Sequence, residues 1–229
     1  MSAALRILVC YLLAGGLFFL SWTCLKRAKA GLHEVQVGWL FKAWTAKPDK
    51  PPSEAELNRI ERVLRGAVVL DPDNPVLHEQ LCQLYIWQLA LARSNPDAEA
   101  KLSAKATAEA RRGVSLRPAW PMAWARLLGL KATFDIPDDE FRLALRRATT
   151  LGPWDFQTSV AVAAAVLPIW DEVSPEDREV AVNAAIRGFQ QKPKDMLPVV
   201  QESGRLVEVC AAMATQPELH QQVCSDVIE

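Results

Sequence analysis

Apolar and polar positions form two patterns along this chain, one continuous and one periodic. Residues 7–25 make an uncharged apolar run of 19 residues. As a helix, this run would be roughly 28 Å long, about the thickness of the hydrocarbon core of a bilayer. From residue 53 onwards, apolar residues recur every three or four positions between short polar breaks, a period typical of amphipathic helices. The pattern predicts an all-α chain in which a transmembrane helix precedes a domain of packed helices.

The pattern also divides the chain into three segments. We predict a transmembrane anchor in residues 1–30, a juxtamembrane helix with a Pro-rich linker in 31–52, and the helical domain in 53–229. In the second segment an apolar stripe recurs at helical spacing. We expect it to pack on the first repeat rather than lie on the bilayer surface, because the opposite face is not strongly basic. The stripe consists of Leu32, Val35, Trp39, Leu40 and Trp44.

A cleaved signal peptide is the alternative to an anchor, since Ala28-Lys29-Ala30 has the small-x-small form of a cleavage site. Lys26, Arg27 and Lys29 crowd this site, and the apolar run is long for a signal peptide, so we predict an uncleaved anchor. The same cations favour a cytoplasmic position for the domain, although a large domain can be translocated regardless of nearby charge. The side of the membrane therefore stays open between cytoplasm and periplasm.

A short sequence motif recurs in the helical domain: a small residue, four others, then proline. The small residue lets the next helix approach closely, and proline cannot continue a helix. The four prolines are 46, 35 and 40 residues apart, close to the 34-residue tetratricopeptide period with insertions. We therefore predict a tetratricopeptide-like stack of helical hairpins. The copies are Ala67–Pro72, Gly113–Pro118, Ala148–Pro153 and Gly188–Pro193. The predicted helices span roughly 54–70, 75–93, 97–116, 120–134, 137–151, 154–170, 175–191, 194–203, 204–214 and 216–227.

Charge and cysteine content narrow the kinds of function. The chain has 26 Lys and Arg against 27 Asp and Glu and no long basic run, so nothing suggests nucleic-acid binding. Its five cysteines form no CxxC pair and its three histidines are far apart, so we expect neither a metal nor another cofactor. Cys210 and Cys224 either pair across a terminal helix turn or serve as two small apolar residues in a helix pair.

The large residues of the opening helices are predicted to be core, and the acidic residues to be caps. Leu81, Tyr85, Trp124 and Leu127 occupy the positions at which a tetratricopeptide unit buries large side chains. The acids sit at turns and in first helical turns, where they suit capping and the helix dipole. A non-enzymatic protein is therefore expected. These acids are Asp71, Asp73, Asp138, Asp139 and Glu140.

Other positions of the opening helices should line the inner wall of the stack. They form a mixed polar row followed by a small apolar row, which suits a helix or an extended peptide better than a charged ligand. The alternative is that the segment containing Trp39 and Trp44 fills this groove. The predicted partner-groove residues are Val76, Glu79, Gln83, Trp87, Met122, Ala125 and Gly129.

Several specific segments follow the N-terminal apolar helix: Leu-Asp-Pro-Asp-Asn-Pro (70–75), Leu-Arg-Pro-Ala-Trp-Pro (116–121), Leu-Gly-Pro-Trp-Asp-Phe-Gln (151–157) and a helix ending in Trp170-Asp171. In this order they resemble the VpsP-type family of bacterial exopolysaccharide biosynthesis proteins. The resemblance covers most of residues 1–210. The resemblance implies a small inner-membrane accessory protein of polysaccharide synthesis and export, and it supplies no catalytic residues.

Together these observations favour a single-pass scaffold of the bacterial inner membrane, anchored by residues 7–25. We expect its helical groove to dock a protein partner from the exopolysaccharide machinery. An assembly factor for a respiratory or secretory membrane complex would use the same fold. A glycan-modifying hydrolase is the third hypothesis, but it would need paired acids in a cleft.

Overall fold

The structure is a computed structural model that describes residues 3–47, 49–92, 95–134 and 137–225. Within these ranges every regular element is helical, with eleven α-helices and two short 3-10 segments, Leu167–Glu172 and Met213–Thr215. The predicted all-α fold is therefore confirmed. In chain order the α-helices are α1 (Ala3–Thr45), α2 (Glu54–Leu70), α3 (Pro75–Ala92), α4 (Pro96–Leu116), α5 (Pro121–Phe134), α6 (Asp139–Leu151), α7 (Phe156–Val166), α8 (Pro175–Gln191), α9 (Pro193–Glu202), α10 (Leu206–Ala212) and α11 (Pro217–Cys224).

The helices group into two compact units, Met1–Pro96 and Asp97–Glu229. The first unit contains α1, α2 and α3. The predicted boundary at residue 30 lies inside α1, which is one unbroken helix of 43 residues. Among the described helices, α1 alone is long and apolar enough to cross a membrane by length and composition, and its apolar window has no buried residue.

The second half of α1 packs against α2 and α3. Ala30 and Val37 are fully buried in this contact. Glu34 of α1 accepts two hydrogen bonds: its carboxylate accepts one from Asn74 Nδ2, just before α3, at 2.8 Å, and its carbonyl accepts one from Gln80 Nε2 of α3 at 2.8 Å. Helix α1 therefore packs as a third helix on the hairpin formed by α2 and α3.

Local signals in the sequence start and stop α2 and α3. Ser53 forms the predicted capping box: its backbone N–H donates to Glu56 Oε2 at 2.8 Å, and its hydroxyl accepts from the Glu56 N–H at 3.4 Å. Helix α2 ends where the N–H of Asp71 donates to the carbonyl of Ala67. Pro72 then follows in the turn. The first predicted turn motif therefore ends a helix as expected.

The second unit is a series of hairpins that begin at prolines or capping residues. Helix α5 packs on α6 and α7, and α7 packs on α8. Prolines open α4, α5, α8, α9 and α11, because a proline at the first helical position needs no N–H partner. The interior is apolar and includes fully buried Phe141, Leu145, Val162, Val166 and Phe189.

The predicted core register is correct at three of the four large residues. Leu81, Tyr85 and Leu127 are at most 2% exposed. The prediction is wrong for Trp124, which is only half-buried. Its indole N–H donates to the carbonyl of Pro118 at 2.9 Å, which ties the ring to the turn before α5.

Two glycines mark places where elements approach closely. A Cβ at Gly188 would lie 2.8 Å from Met196 Sδ, which brings α8 against α9 and agrees with the predicted role of this small residue. A Cβ at Gly152 would lie 2.7 Å from Pro121 Cβ. Gly152 therefore holds the turn before α7 directly against the first residue of α5.

A disulfide joins the last two helices. Cys210 in α10 and Cys224 in α11 are bonded, with their Cα atoms 5.9 Å apart and the two residues separated by 14 in sequence. Both cysteines are buried. The sequence left this pairing open, and the structure has the paired form.

Candidate functional site

Four of the predicted groove residues lie on α3 in the first unit. Val76, Glu79, Gln83 and Trp87 are all partly buried. The Trp87 ring is covered edge-on by Trp44 of α1, with ring centroids 6.1 Å apart and planes at 71°. At Trp87, the chain's own α1 thus occupies the predicted groove, as the alternative expected.

The apolar stripe on α1 divides between two faces. Leu40 and Trp44 border a small cavity of about 90 Å³ with Ile60 of α2. Leu32 and Val35 are more than half exposed. Trp39 is 72% exposed. The expectation that the whole stripe packs on the first repeat is therefore wrong for these three residues, because they lie on the reverse of the face that carries Ala30 and Val37.

The other three predicted groove residues lie on α5 in the second unit. Ala125 is only 2% exposed and belongs to the core, so its predicted place on an open wall is wrong. A Cβ at Gly129 would meet open space. Met122 lines an open cleft of about 600 Å³ in the second unit.

The cleft lies between the turn before α5 and the turn before α7. Two tryptophans border it, Trp120 at 48% exposure and Trp154 at 66%. Exposed indoles of this size next to one another are unusual on a protein surface without a partner. The cleft is lined by Trp120, Pro121, Met122, Leu151, Gly152, Pro153, Trp154, Asp155 and Gln157.

The repeated turn motif builds this cleft. In two successive copies a tryptophan follows the turn proline closely, as Trp120 after Pro118 and as Trp154 after Pro153. Because the proline ends the previous helix in both copies, each indole is held at the same end of a hairpin. The close approach at Gly152 then brings the two turns together.

The charged groups at the cleft, Asp155 and Arg117, contact neighbouring residues. Asp155 caps α7, accepting hydrogen bonds from the backbone N–H of Thr158 at 2.9 Å and from the Thr158 hydroxyl. The guanidinium of Arg117 lies over the Trp120 ring, 5.3 Å from its centroid, which is a cation–π distance. Gln157 is the other polar residue of the lining. The other lining residues are apolar, so the cleft is suited mainly to an apolar side chain.

A cluster of charged side chains around Lys131 links helices of the second unit. The ammonium of Lys131 is buried and lies 2.8 Å from Asp138 Oδ2 and 3.6 Å from Glu140 Oε2. Arg111 binds Glu140 with two hydrogen bonds of 2.7 and 2.8 Å. The hydrogen bond from Arg111 lowers the pKa of Glu140, and that from Lys131 lowers the pKa of Asp138. These acids serve as helix connectors.

The first unit has a matching cluster around Tyr85. Its hydroxyl donates to Glu61 Oε1 at 3.2 Å and accepts from Arg65 at 3.0 Å, while Gln88 donates to the other Glu61 oxygen at 3.1 Å. Burial, followed by the neighbouring Glu61 charge, raises the pKa of Tyr85 to about 12. The cluster joins α2 to α3 inside the hairpin.

Sequence reasoning missed the two cleft tryptophans as site residues. The available signal was an aromatic residue soon after the turn proline in two successive repeats, Trp120 and Trp154. Within the described residues, no three His, Cys, Asp or Glu side chains are grouped to hold a metal ion. Compared with protein-family models, with curated proteins and with solved structures, the chain matches none of them.

Proposed function

We propose that this protein is a non-enzymatic, membrane-anchored scaffold that docks a partner protein on its second unit. The observation that carries the proposal is the cleft bordered by the exposed rings of Trp120 and Trp154. Large aromatic residues beside a pocket are the side chains that most often dominate binding energy at protein interfaces. The apolar α1 supplies the membrane anchor in this proposal.

The occupant that fits the cleft is a short segment of a partner protein with an aliphatic or proline side chain. The lining presents indole, proline and methionine surfaces, and Asp155 already uses its carboxylate to cap α7. A charged ligand would lose its hydration without gaining a partner there. An apolar anchor residue would instead exclude water from both rings.

We place the partner in the exopolysaccharide synthesis and export machinery. The support is the sequence resemblance to the VpsP-type family, two segments of which, 116–121 and 151–157, contain the cleft tryptophans. A respiratory or secretory assembly factor would use the same fold and the same cleft. The identity of the captured partner distinguishes these functions.

We propose that the helical units lie on the periplasmic side of the inner membrane. The disulfide between Cys210 and Cys224 supports this side, because disulfides persist in oxidising compartments and are rare in the bacterial cytosol. Lys26, Arg27 and Lys29 favour the opposite side, but a large domain can be translocated regardless of such charges. Protease treatment of spheroplasts should degrade the helical units while a cytoplasmic marker survives.

Partner capture from detergent-extracted membranes tests the scaffold function. The full chain should recover a polymerase, a polysaccharide co-polymerase or a glycosyltransferase. Replacing both Trp120 and Trp154 with alanine should lower that recovery at least about tenfold, which is the effect of removing one or two interface hot spots. The control is Val207→Ala, which alters a 66% exposed apolar residue in the same unit, outside the cleft.

Two results would contradict the proposal. If the double variant recovers the same partner in full, at equal protein level and unchanged helicity, the cleft does not bind the partner. Capture of respiratory or secretion subunits in place of polysaccharide enzymes would support the assembly-factor function, with the cleft still as its docking site.

A further inference from the structure

The face of α1 that turns away from α2 and α3 has a regular seven-residue repeat. One set of positions recurs every seven residues, and a second set follows it three residues later. All of these residues are exposed. The first set is Ala4, Tyr11, Phe18, Leu25, Leu32 and Trp39; the second set is Ile7, Ala14, Ser21, Ala28 and Val35. We call these residues the α1 seam.

The α1 seam is separate from the surface that builds the first hairpin. Ala30 and Val37, which are buried against the hairpin, are also seven residues apart but lie five positions after Leu25 and Leu32. At 100° per residue this places them on the other side of the helix. After the apolar run, the helix thus has one apolar face that is covered within the chain and a second that is not. Within the apolar run, no described residue is buried.

The side chains of the seam alternate in size along the helix. The first set is mostly large, from Tyr11 to Trp39, whereas the second set contains Ala14, Ser21 and Ala28. From Leu25 to Trp39, where polar residues separate the seam positions, their 3–4 spacing is the pattern of a two-stranded coiled coil, and residues 4–21 continue it in the same register. Small residues at alternate layers let two helices approach closely inside a membrane.

We propose that the α1 seam is a parallel contact between two copies of this chain. The inference rests on the membrane anchoring proposed above, because every anchored copy has the same orientation. Identical residues then stand at the same depth, and the seam meets its own copy in register as a two-fold symmetric contact. The next position of the second set is Lys42, whose ammonium lies 6.0 Å from the Trp39 ring centroid; this cation ends the seam.

The length and position of the seam favour a protein copy over lipid as its occupant. From Ala4 to Trp39 the seam is roughly 53 Å long, and a helix about 10 Å wide would bury on the order of 500 Å² per copy. The total of about 1,000 Å² reaches the lower range of specific interfaces. The last part of the seam lies outside the bilayer core if that core ends with the apolar run at Leu25. Along the helix, roughly 10 to 21 Å separate Leu25 from Leu32, Val35 and Trp39.

Disulfide cross-linking in native membranes tests the contact directly. In the full chain with Cys10 and Cys24 changed to serine, Val35→Cys introduces a thiol on the seam. Gln36→Cys introduces one on the adjacent residue, also exposed but 100° away. After mild oxidation, we expect Val35→Cys to give at least about fivefold more chain-to-chain dimer than Gln36→Cys. Equal yields, or a cross-link to a protein of different mass, would overturn the proposal.

A charge on the seam supplies a second test that does not depend on cysteines. Val35→Glu should abolish co-precipitation of two differently tagged copies in mild detergent. Val69→Glu makes the same change on α2 at an 82% exposed valine and should leave co-precipitation unchanged. Persistence of the dimer in the Val35→Glu variant, or its loss in both variants, would contradict a seam contact.

A separate experiment tests the membrane anchoring on which the inference rests. Alkaline carbonate extraction of the same membranes should leave the full chain in the pellet. Release of the chain into the supernatant would overturn the membrane anchoring, and with it the reason for a parallel pair. A pelleted chain that shows no seam cross-link overturns the pairing alone.

Discussion

Two pairs of tryptophans, one pair in each unit, differ in how far the protein covers them. In the first unit, Trp87 of α3 is covered by Trp44 of α1. In the second unit, Trp120 and Trp154 stay about half and two-thirds exposed beside a cleft. In the first unit, a helix of the same unit covers the ring at Trp87, although Trp39 on the other side of α1 stays exposed. In the second unit, the two tryptophans that follow turn prolines stay open beside a cleft, and this cleft carries the docking role we propose.

The largest expected difference between the units comes from the disulfide. Replacing Cys210 and Cys224 with serine removes a closure of about 15 residues and should destabilise the second unit by about 3 kcal/mol. Hydrogen exchange resolved by peptide should show faster exchange in α10 and α11, with α2 and α3 unchanged. Faster exchange in the first unit as well would show that the units do not unfold separately.

Matched tryptophan substitutions should have different effects on stability. Trp44→Ala removes a half-buried ring from the first unit and should cost about 1–2 kcal/mol, less than the 3–5 kcal/mol of a fully buried aromatic residue. Trp154→Ala removes a ring that is 66% exposed and should change stability by less than about 0.5 kcal/mol. Thermal and urea unfolding measure both effects. Similar losses for the two variants would remove the contrast between a covered and an open tryptophan.

A double-mutant cycle measures the contact that covers Trp87. Combining Trp44→Ala with Trp87→Ala should reveal a coupling of about 0.5–1.5 kcal/mol, as expected for an edge-on aromatic pair. The same cycle on Trp120 and Trp154 should give nearly additive effects. Additivity at both pairs would mean that the edge-on contact contributes nothing beyond burial.

The units should also lose stability at opposite ends of the pH scale. Tyr85 has its pKa raised from 10.0 to about 12, so the unfolded state loses this proton first and the first unit weakens as pH rises from 10 towards 12. The pKa values of Glu140 and Asp138 are lowered from 4.5 and 3.8, so their contribution in the second unit is lost as pH falls through those lowered values.

Single substitutions test which group causes the loss of stability at alkaline pH and which causes the loss at acid pH. Tyr85→Phe should flatten the alkaline loss of stability, and Glu140→Gln should make the acid loss shallower. Unfolding followed from pH 2 to pH 12 gives both curves. If the Tyr85→Phe variant loses as much stability at alkaline pH as the unchanged chain, another group is responsible for that loss.

The sequence predicted most helix boundaries because their signals are local. The predicted range of α2, 54–70, is the observed one, since the capping box at Ser53 and the turn at Pro72 act within a few residues of each end. The same holds for α8, which opens at Pro175 after the capping side chain of Ser174. Such signals need no knowledge of the rest of the fold.

The sequence did not predict which helical face meets which neighbour. Periodicity shows that Leu32, Val35 and Trp39 share a face, but their exposure depends on α1 packing through Ala30 and Val37. It placed Ala125 on an open wall, although neighbouring helices bury it. The contact between Trp44 and Trp87 joins residues 43 positions apart. The size and position of Trp124 predict a core residue, whereas the ring is only half-buried and its N–H donates to the Pro118 carbonyl.

The unbroken course of α1 has a mechanical consequence. A 43-residue helix that runs from the apolar segment into the first hairpin is a stiff rod without a hinge. The hydrogen bonds of Glu34 and the burial of Ala30 fasten this rod to the hairpin. An anchored chain of this kind would hold its first unit at one height above the bilayer and at one azimuth. Any tilt or rotation of the membrane-spanning segment would then tilt or rotate that unit by the same angle. A partner in the same membrane would reach the unit by diffusion in two dimensions only.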